Sequence, residues 1–279
     1  MANIGIIGWG VVGQATGKAF KDAGYKVLWN DPVKKESTPL PKLVKFSDAI
    51  FICVPTPMFE GDSGVDLSII NKVVKDVASS AANTGKVLII KSTVPPGTTA
   101  ALAKKYPKIN FAMSPEFLTE INAPYDFLHP DRVVIGAFDE GLAIEIAKLH
   151  RAILGYEVKI FTTDPTTAEM VKYMSNTYLA TKIIFANEMA ELASKLDINY
   201  DDVREMTSAD KRIESSFLKV TPFGGFGGKC FPKDTVALLE VARKLNVDLS
   251  VLKAVWSKNK KVRKIQDWHS IPGAVSKKK

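Results

Sequence analysis

The run Gly224-Gly225-Phe226-Gly227-Gly228-Lys229-Cys230-Phe231-Pro232-Lys233-Asp234 delivers a cysteine from a glycine-rich stretch to the start of a helix. Pro232 suits a first helical position, and Thr235 to Ala242 continues as an apolar-faced helix. Cys230 is therefore expected at the positive end of a helix dipole, with Lys229 and Lys233 beside it. Both effects favour the thiolate, the nucleophilic form of cysteine. Gly224, Gly225, Gly227 and Gly228 can take backbone angles closed to other residues and would let a ligand approach. A lone thiol in such a turn is more often plain packing. Here a second chemical signature accompanies it.

That signature opens the chain. Asn3-Ile4-Gly5-Ile6-Ile7 reads as a short buried strand, followed by Gly8-Trp9-Gly10-Val11-Val12-Gly13 and a helix through about Ala23. Gly8 permits the tight turn, Gly10 lets the backbone meet a pyrophosphate, and Gly13 lets helix and strand pack closely. Tyr25 to Asp31 is a second strand ending in an acid at the position that holds a ribose 2′-hydroxyl. Asp31 would accept from the diol of NAD and repel the 2′-phosphate of NADP; Asn30 is a neutral alternative acceptor.

The elements that must position these residues alternate up to about residue 163. Ala49 to Val54, Lys86 to Ile90, Ile109 to Met113, Arg132 to Gly136 and Glu157 to Phe161 read as strands. Leu67 to Ala82 and Glu140 to Leu154 read as helices between them. The order predicts an α/β, doubly wound, largely parallel sheet over residues 1–163, covered on both faces. Thr166 to about Leu196, free of proline and glycine, predicts one long helix opening an all-α domain over residues 164–262. Residues 263–279 read as a basic tail. Lys258, Lys260, Lys261, Arg263, Lys264 and Lys277-Lys278-Lys279 concentrate much of the net charge of +8, as a solvated and partly disordered segment rather than a nucleic-acid surface. No apolar run reaches the ~18 residues of a membrane span, and no signal peptide is read at the start. With only Cys53 and Cys230 there is no disulfide framework, so a reducing cytoplasm is expected. Cys53 falls inside a strand and reads as core. His129, His150 and His269 lack partners at metal-ligand spacing, so no metal is expected.

Further clusters fall beyond the carboxyl ends of the expected strands, where ligands bind in such sheets. Val54-Pro55-Thr56-Pro57 would form a rigid turn against the cofactor, and Ser92-Thr93-Val94-Pro95-Pro96-Gly97 offers hydroxyls beside a helix start. Ser114-Pro115-Glu116-Phe117-Leu118-Thr119-Glu120 carries two acids a helical turn apart. Lys172 and Asn176 share a face of the long helix. Singly, each reads as an ordinary helix start or solvated surface.

Together they resemble the UDP-glucose/GDP-mannose dehydrogenase family from Asn3 to about Asn259. The resemblance rests on the dinucleotide fingerprint, Val54-Pro55-Thr56-Pro57, Ser92-Thr93-Val94-Pro95, Pro115-Glu116-Phe117-Leu118-x-Glu120, Lys172-x-x-x-Asn176 and Gly225 to Asp234. It implies a Rossmann domain followed by a central dimerisation domain. It also implies NAD-dependent four-electron oxidation of a nucleotide sugar, UDP-glucose above others, through a thiohemiacetal and thioester on Cys230. By the same resemblance Lys172 stabilises oxyanions and Asn176 helps hold substrate. Asp234 and Thr93 position water, and Glu116 or Glu120 assists as base. Gly8, Gly10, Val11, Val12, Gly13, Asp31, Val54, Pro55, Thr56, Thr93, Glu120 and Lys233 would face the cofactor. Glu116, Phe117, Leu118, Thr119, Arg212, Phe217, Lys219, Phe226 and Gly227 would line the sugar-nucleotide site with Lys172, Asn176 and Cys230.

The family adds a further α/β domain after the central helices, and by this resemblance the chain is expected to lack it. The family's glycine after Arg-Ile is here Glu214. A homodimer through the long helix is implied, with Arg212 as the cross-subunit candidate. Competing readings are a β-hydroxyacid dehydrogenase, which transfers one hydride and needs no thiol, and a relative that has lost catalysis.

Overall fold

The computed structural model describes residues 2–119 and 121–276. The chain opens with β1 (Ile4–Ile7), α1 (Val11–Asp22), β2 (Val27–Asn30), α2 (Leu40–Phe46) and β3 (Ala49–Ile52). A short strand, β4 (Met58–Phe59), precedes α3 (Ser68–Ala81), β5 (Val87–Ile90), α4 (Thr98–Lys105) and β6 (Asn110–Met113). Next come α5 (Ala123–Leu128), β7 (Arg132–Ala137), α6 (Glu140–Leu154) and β8 (Lys159–Thr163). The long α7 (Pro165–Lys195) leads to α8 (Tyr200–Ser208), α9 (Phe231–Lys244), α10 (Ser250–Val262), a 3-10 turn at Asp267–His269 and β9 (Val275–Ser276).

These elements form two compact units. The first runs through Thr56 and resumes over Leu67–Lys172; the second takes Pro57–Asp66 and the chain from Tyr173. In the first unit a seven-stranded sheet has the order β2-β1-β3-β5-β6-β7-β8. All its neighbours are parallel except β6 and β7, which pair antiparallel through Ala112–Ala137 and Met113–Gly136. Every residue of β1, β3 and β5 is buried, as expected of strands covered on both faces. One face packs Ile7, Ile50, Ile52, Leu88 and Ile90 against Ile70, Val74 and Val77 of α3. The other packs Ile4, Ile6, Phe51 and Ile89 against Phe20 of α1 and Ile146 of α6. Each such side chain contributes roughly 1.5–3 kcal/mol by leaving water. β8 lies at the edge and is largely exposed.

The boundary differs from the expected one at residue 163. The first turns of α7 belong to the sheet unit because Ala168 is fully buried in its core. A Cβ on Gly136 of β7 would lie 2.6 Å from Pro165 and 2.8 Å from Ala168, so strand and helix touch.

The second unit is built on Ala180, Ile184, Phe226, Val236, Val255, Trp256 and Trp268, with Met58 from β4. β4 pairs with β9, and Asp62 accepts hydrogen bonds from Trp256 Nε1 and Lys260 Nζ, both at 2.9 Å. That pairing corrects the expected tail. Residues 263–276 are folded, Trp268 is only 1% exposed, and Lys258, Lys260 and Lys261 lie on α10. Lys277-Lys278-Lys279 lies outside the described residues. No helix of the described residues is long and apolar enough to cross a membrane.

Candidate active site

In the first unit the fingerprint folds as its glycines require. Gly8 sits at φ +93°, where a Cβ would lie 2.6 Å from the Cys53 carbonyl, and a Cβ on Gly13 would strike the Gly8 carbonyl at 1.9 Å. Around the Cβ position of Gly10 there is open space. Gly10 also begins α1 with no side chain capping it. An uncapped helix start beside open space fits a pyrophosphate. Asp31 follows β2; its Oδ2 accepts from Trp9 N at 2.8 Å and its Oδ1 from Val33 N at 3.1 Å. It thus ties the glycine turn to β2 and keeps further lone pairs for a ribose diol. Asn30 spends its amide donors on Ser37 Oγ (3.1 Å) and Thr38 O (2.7 Å). Val11 is exposed at 45% while Val12 is half-buried, and Pro55 is exposed between buried Val54 and Thr56.

The loops after β3 and β5 are locked together. Thr56 Oγ1 donates to Thr93 O at 2.8 Å, and Ser92 Oγ donates to Val54 O at 2.7 Å. Thr93 itself is half-buried. Beyond β6, Glu116 Oε1 lies 3.1 Å from Lys172 Nζ and Oε2 accepts from Leu118 N at 2.6 Å. Phe117 lies between Arg132, 4.0 Å from its ring centre, and Lys172, at 5.6 Å. Thr119 is held by Asp126 Oδ2 through its N (2.7 Å) and Oγ1 (2.5 Å). Glu120 lies outside the described residues.

Three buried residues that carried no role in the sequence reading surround this cluster. Lys91, at the end of β5, donates to Ser114 O at 3.2 Å and has its ammonium pushed down chiefly by burial. Its only signal was its place between an apolar strand and Ser92-Thr93. His150 is held at Ile146 O (3.0 Å), and burial, then the charge of Lys91, lowers its pKa to about 4. Glu169 takes Gly97 N (2.6 Å), Thr99 N (2.8 Å) and Thr99 Oγ1 (2.6 Å), so α7 caps α4. Cys53 has its thiol pushed up to about 12 by burial, which keeps it protonated and inert.

In the second unit Cys230 is exposed at the N-cap of α9, with Pro232 in the first turn. One turn on, Asp234 is 1% exposed and accepts from Asn176 Nδ2 at 2.6 Å and from the ammonium of Lys233. Lys233, expected toward the cofactor, is buried and pairs with that carboxylate. The ring of Phe226 is 2% exposed and stacks on Trp256 at 6.0 Å, so it is closed to a ligand. The glycines have a different use from the one expected. A Cβ on Gly224 would meet Val262 O at 2.4 Å, on Gly225 Asn259 Oδ1 at 2.3 Å, and on Gly227 Arg263 Nη2 and Asp267 Oδ1 at 2.3 Å. They admit the protein's own α10 and its following turn; Gly228 alone of the four faces open space.

Arg212 is paired with Asp210 in its own turn at 2.6 Å and is exposed. Phe217 packs edge-on against Phe231 at 5.8 Å, beside Cys230, and Lys219 is exposed. Glu214 has φ +60° and Phe217 +64°. The position at which the family carries glycine is thus one where the chain turns left-handed, and Glu214 holds it by accepting from Ser216 N at 3.2 Å.

The family model for the NAD-binding domain of the UDP-glucose/GDP-mannose dehydrogenase family matches residues 31–154, and that for its central domain matches residues 166–261. The solved UDP-glucose dehydrogenase from the hyperthermophilic archaeon Pyrobaculum islandicum superposes with a TM-score of 0.85 at 31% identity, over 94% of this chain and 68% of that one. The chain belongs to the UDP-glucose/GDP-mannose dehydrogenase family. Within this family the UDP-glucose 6-dehydrogenase of Rickettsia prowazekii (strain Madrid E) is 41% identical over 218 residues, 76% of this chain and 49% of that protein. The solved UDP-D-ManNAc dehydrogenase from Pyrococcus horikoshii gives a TM-score of 0.82 at 27% identity, over 93% of this chain and 68% of that one. The chain spans about half the length of the curated relatives it matches. The cofactor of the family's N-terminal domain is NAD, and the Gly8–Gly13 turn and Asp31 fit it.

Proposed function

We propose that the chain takes part in NAD-dependent four-electron oxidation of a nucleotide sugar, UDP-glucose to UDP-glucuronate, with Cys230 as the covalent nucleophile. The observation that carries this reading is the exposed thiol of Cys230 at the start of α9, one turn before an Asp234 carboxylate buried with Asn176 and Lys233. An enzyme that moves a single hydride needs no such thiol.

Bound NAD accepts a hydride at each of the two oxidations. The residues of the chain do the rest. The sugar hydroxyl loses a proton to Glu116 or Glu120 and becomes an aldehyde on the first oxidation. The Cys230 sulfur adds to the aldehyde carbon, forming a C–S bond and an oxyanion that takes up a proton. The second oxidation turns this thiohemiacetal into a thioester. Water then cleaves the C–S bond, releasing carboxylate and restoring the thiol; Asp234 is the group of the second unit that would position it. Lys172 supplies positive charge to the oxyanions, and Glu116 holds its ammonium at 3.1 Å. Asn176 can turn an amide group to the substrate while its Nδ2 stays on Asp234. Gly8, Gly10, Gly13 and Asp31 hold the pyrophosphate and ribose. In the second unit Arg212, Phe217, Lys219 and the backbone of Gly227 would serve the sugar nucleotide, and in the first Phe117, Leu118 and Thr119.

A homodimer goes with this reading. Met170, Met174, Tyr178 and Phe185 of α7 are 42, 64, 62 and 57% exposed, an apolar surface suited to a second copy. The cytoplasm, reducing and NAD-rich, suits a free thiol nucleophile. A panel of nucleotide sugars incubated with NAD tests the function. UDP-glucose should give the fastest rise in NADH absorbance; no rise with any member would overturn the proposal.

A further inference from the structure

The loop that presents Cys230 is gripped by side chains through its backbone. Arg263 Nη1 donates to Gly224 O at 3.2 Å, and Asn187 Oδ1 accepts from Gly225 N at 3.1 Å. Asn259 binds Phe226 on both sides, Oδ1 accepting from its N at 2.7 Å and Nδ2 donating to its O at 3.1 Å. Asp267 Oδ2 accepts from Gly228 N at 3.3 Å and pairs with Arg263 Nη2 at 3.0 Å. Asn259 is fully buried, with both ends of its amide on the Phe226 backbone.

A glycine-rich loop loses more conformational freedom on ordering than any other, and loops ordinarily leave their backbone to water. Gly224, Gly225 and Gly228 sit at φ +66°, +51° and +75°. The grip reverses the usual state of such a segment, and it ends on Gly228, two residues before the thiol. The ring of Phe226 alone would anchor the loop to the core; it would not orient the peptides that follow. The glycines at 225 and 227 leave room for Asn259, Arg263 and Asp267 and for no Cβ.

We infer that Asn259, with Arg263 and Asp267, is a positioning set that holds the Cys230 loop in its reactive geometry. Asn259 acts through the Phe226 backbone. The inference rests on the reading of Cys230 as nucleophile, and its test uses a readout independent of turnover. Alkylation of Cys230 by iodoacetamide is followed across pH by mass spectrometry of the Cys230 peptide, in the intact chain, Asn259→Ala and Asp267→Asn. Cys53, whose thiol burial raises to about 12, serves as the slow internal reference.

Asn259→Ala is expected to slow alkylation of Cys230 about 10-fold or more, as a misplaced reacting group does. It should also move the midpoint of the pH profile upward, toward an ordinary thiol, as the sulfur leaves the helix start. The kcat for NADH formation should fall about 10- to 100-fold with KM little changed. Should Asn259→Ala fail to fold, Asp267→Asn carries the test: it breaks the pair with Arg263 at a half-buried site and should shift the profile in the same direction by a smaller factor. A folded variant whose alkylation rate, pH midpoint and kcat all match the intact chain would overturn the inference. Normal turnover in Cys230→Ser would instead overturn the catalytic reading and leave the grip on the loop untouched.

Discussion

The Lys172–Glu116 pair allows structural and catalytic roles to be separated. Both side chains are nearly excluded from water, at 4% and 10% exposure, and the ions lie 3.1 Å apart. Lys172→Met strands the Glu116 carboxylate, and removing one partner of a buried pair costs about 3–5 kcal/mol. Leu118 N still satisfies Oε2 at 2.6 Å, so the lower end applies, about 3 kcal/mol. For a domain of this size that is a fall in Tm of roughly 6–12 °C. Lys172→Met combined with Glu116→Gln strands neither charge and should recover to within about 1 kcal/mol of the intact chain. Turnover should behave differently. If Lys172 supplies charge to oxyanions, the double variant should stay about 100- to 1,000-fold slow despite its restored stability. The assay is a thermal melt by circular dichroism beside initial rates of NADH formation. A single variant that loses less than about 1 kcal/mol would refute the burial argument. A double variant that regains turnover would reduce Lys172 to scaffolding.

Glu214→Gly should stabilise the second unit by up to about 1 kcal/mol, because φ +60° is strained for glutamate and free for glycine; a lower urea midpoint would count against the strain. Asp31→Ala should raise KM for NAD about 10- to 100-fold, since it removes the ribose acceptor and the bond to Trp9 N, and an unchanged KM would move the ribose contact elsewhere. Folded His150 stays neutral down to pH about 4, while the unfolded residue protonates near 6.5, so the unfolded state binds more protons in that window. Stability should therefore fall by about 3 kcal/mol as pH drops from 6.5 to 4. His150→Gln should remove that slope, and an unaltered acid limb in denaturant titrations would assign it to other groups.

Much of the sheet unit was legible because its signals are local. Alternating apolar runs and turns gave every strand of the seven-stranded sheet, α6 matched Glu140 to Leu154, and α7 began one residue before Thr166. Gly8 makes the tight turn and Gly13 the close helix–strand contact that their spacing implied. What escaped is held by contacts far apart in the chain. β4 and β9 are two residues each, too short for any period, and Met58 meets Val275 across most of the sequence. The folding of residues 263–276 depends on that pairing and on buried Trp268, so a lysine-rich stretch read as a solvated tail. Asn259 looked like one polar residue on an amphipathic helix; only the fold brings it to Phe226. Likewise, the glycines around Cys230 read as space for a ligand, when three of them make room for α10 and the turn after it.

The covalent role of Cys230 is tested most directly by counting NADH released per UDP-glucose consumed at exhaustion, with the sugar product identified. The intact chain should release two NADH and yield the sugar acid, and Cys230→Ser should yield none of that acid. One NADH per sugar from the intact chain, or two from Cys230→Ser, would contradict a thiol-bound intermediate.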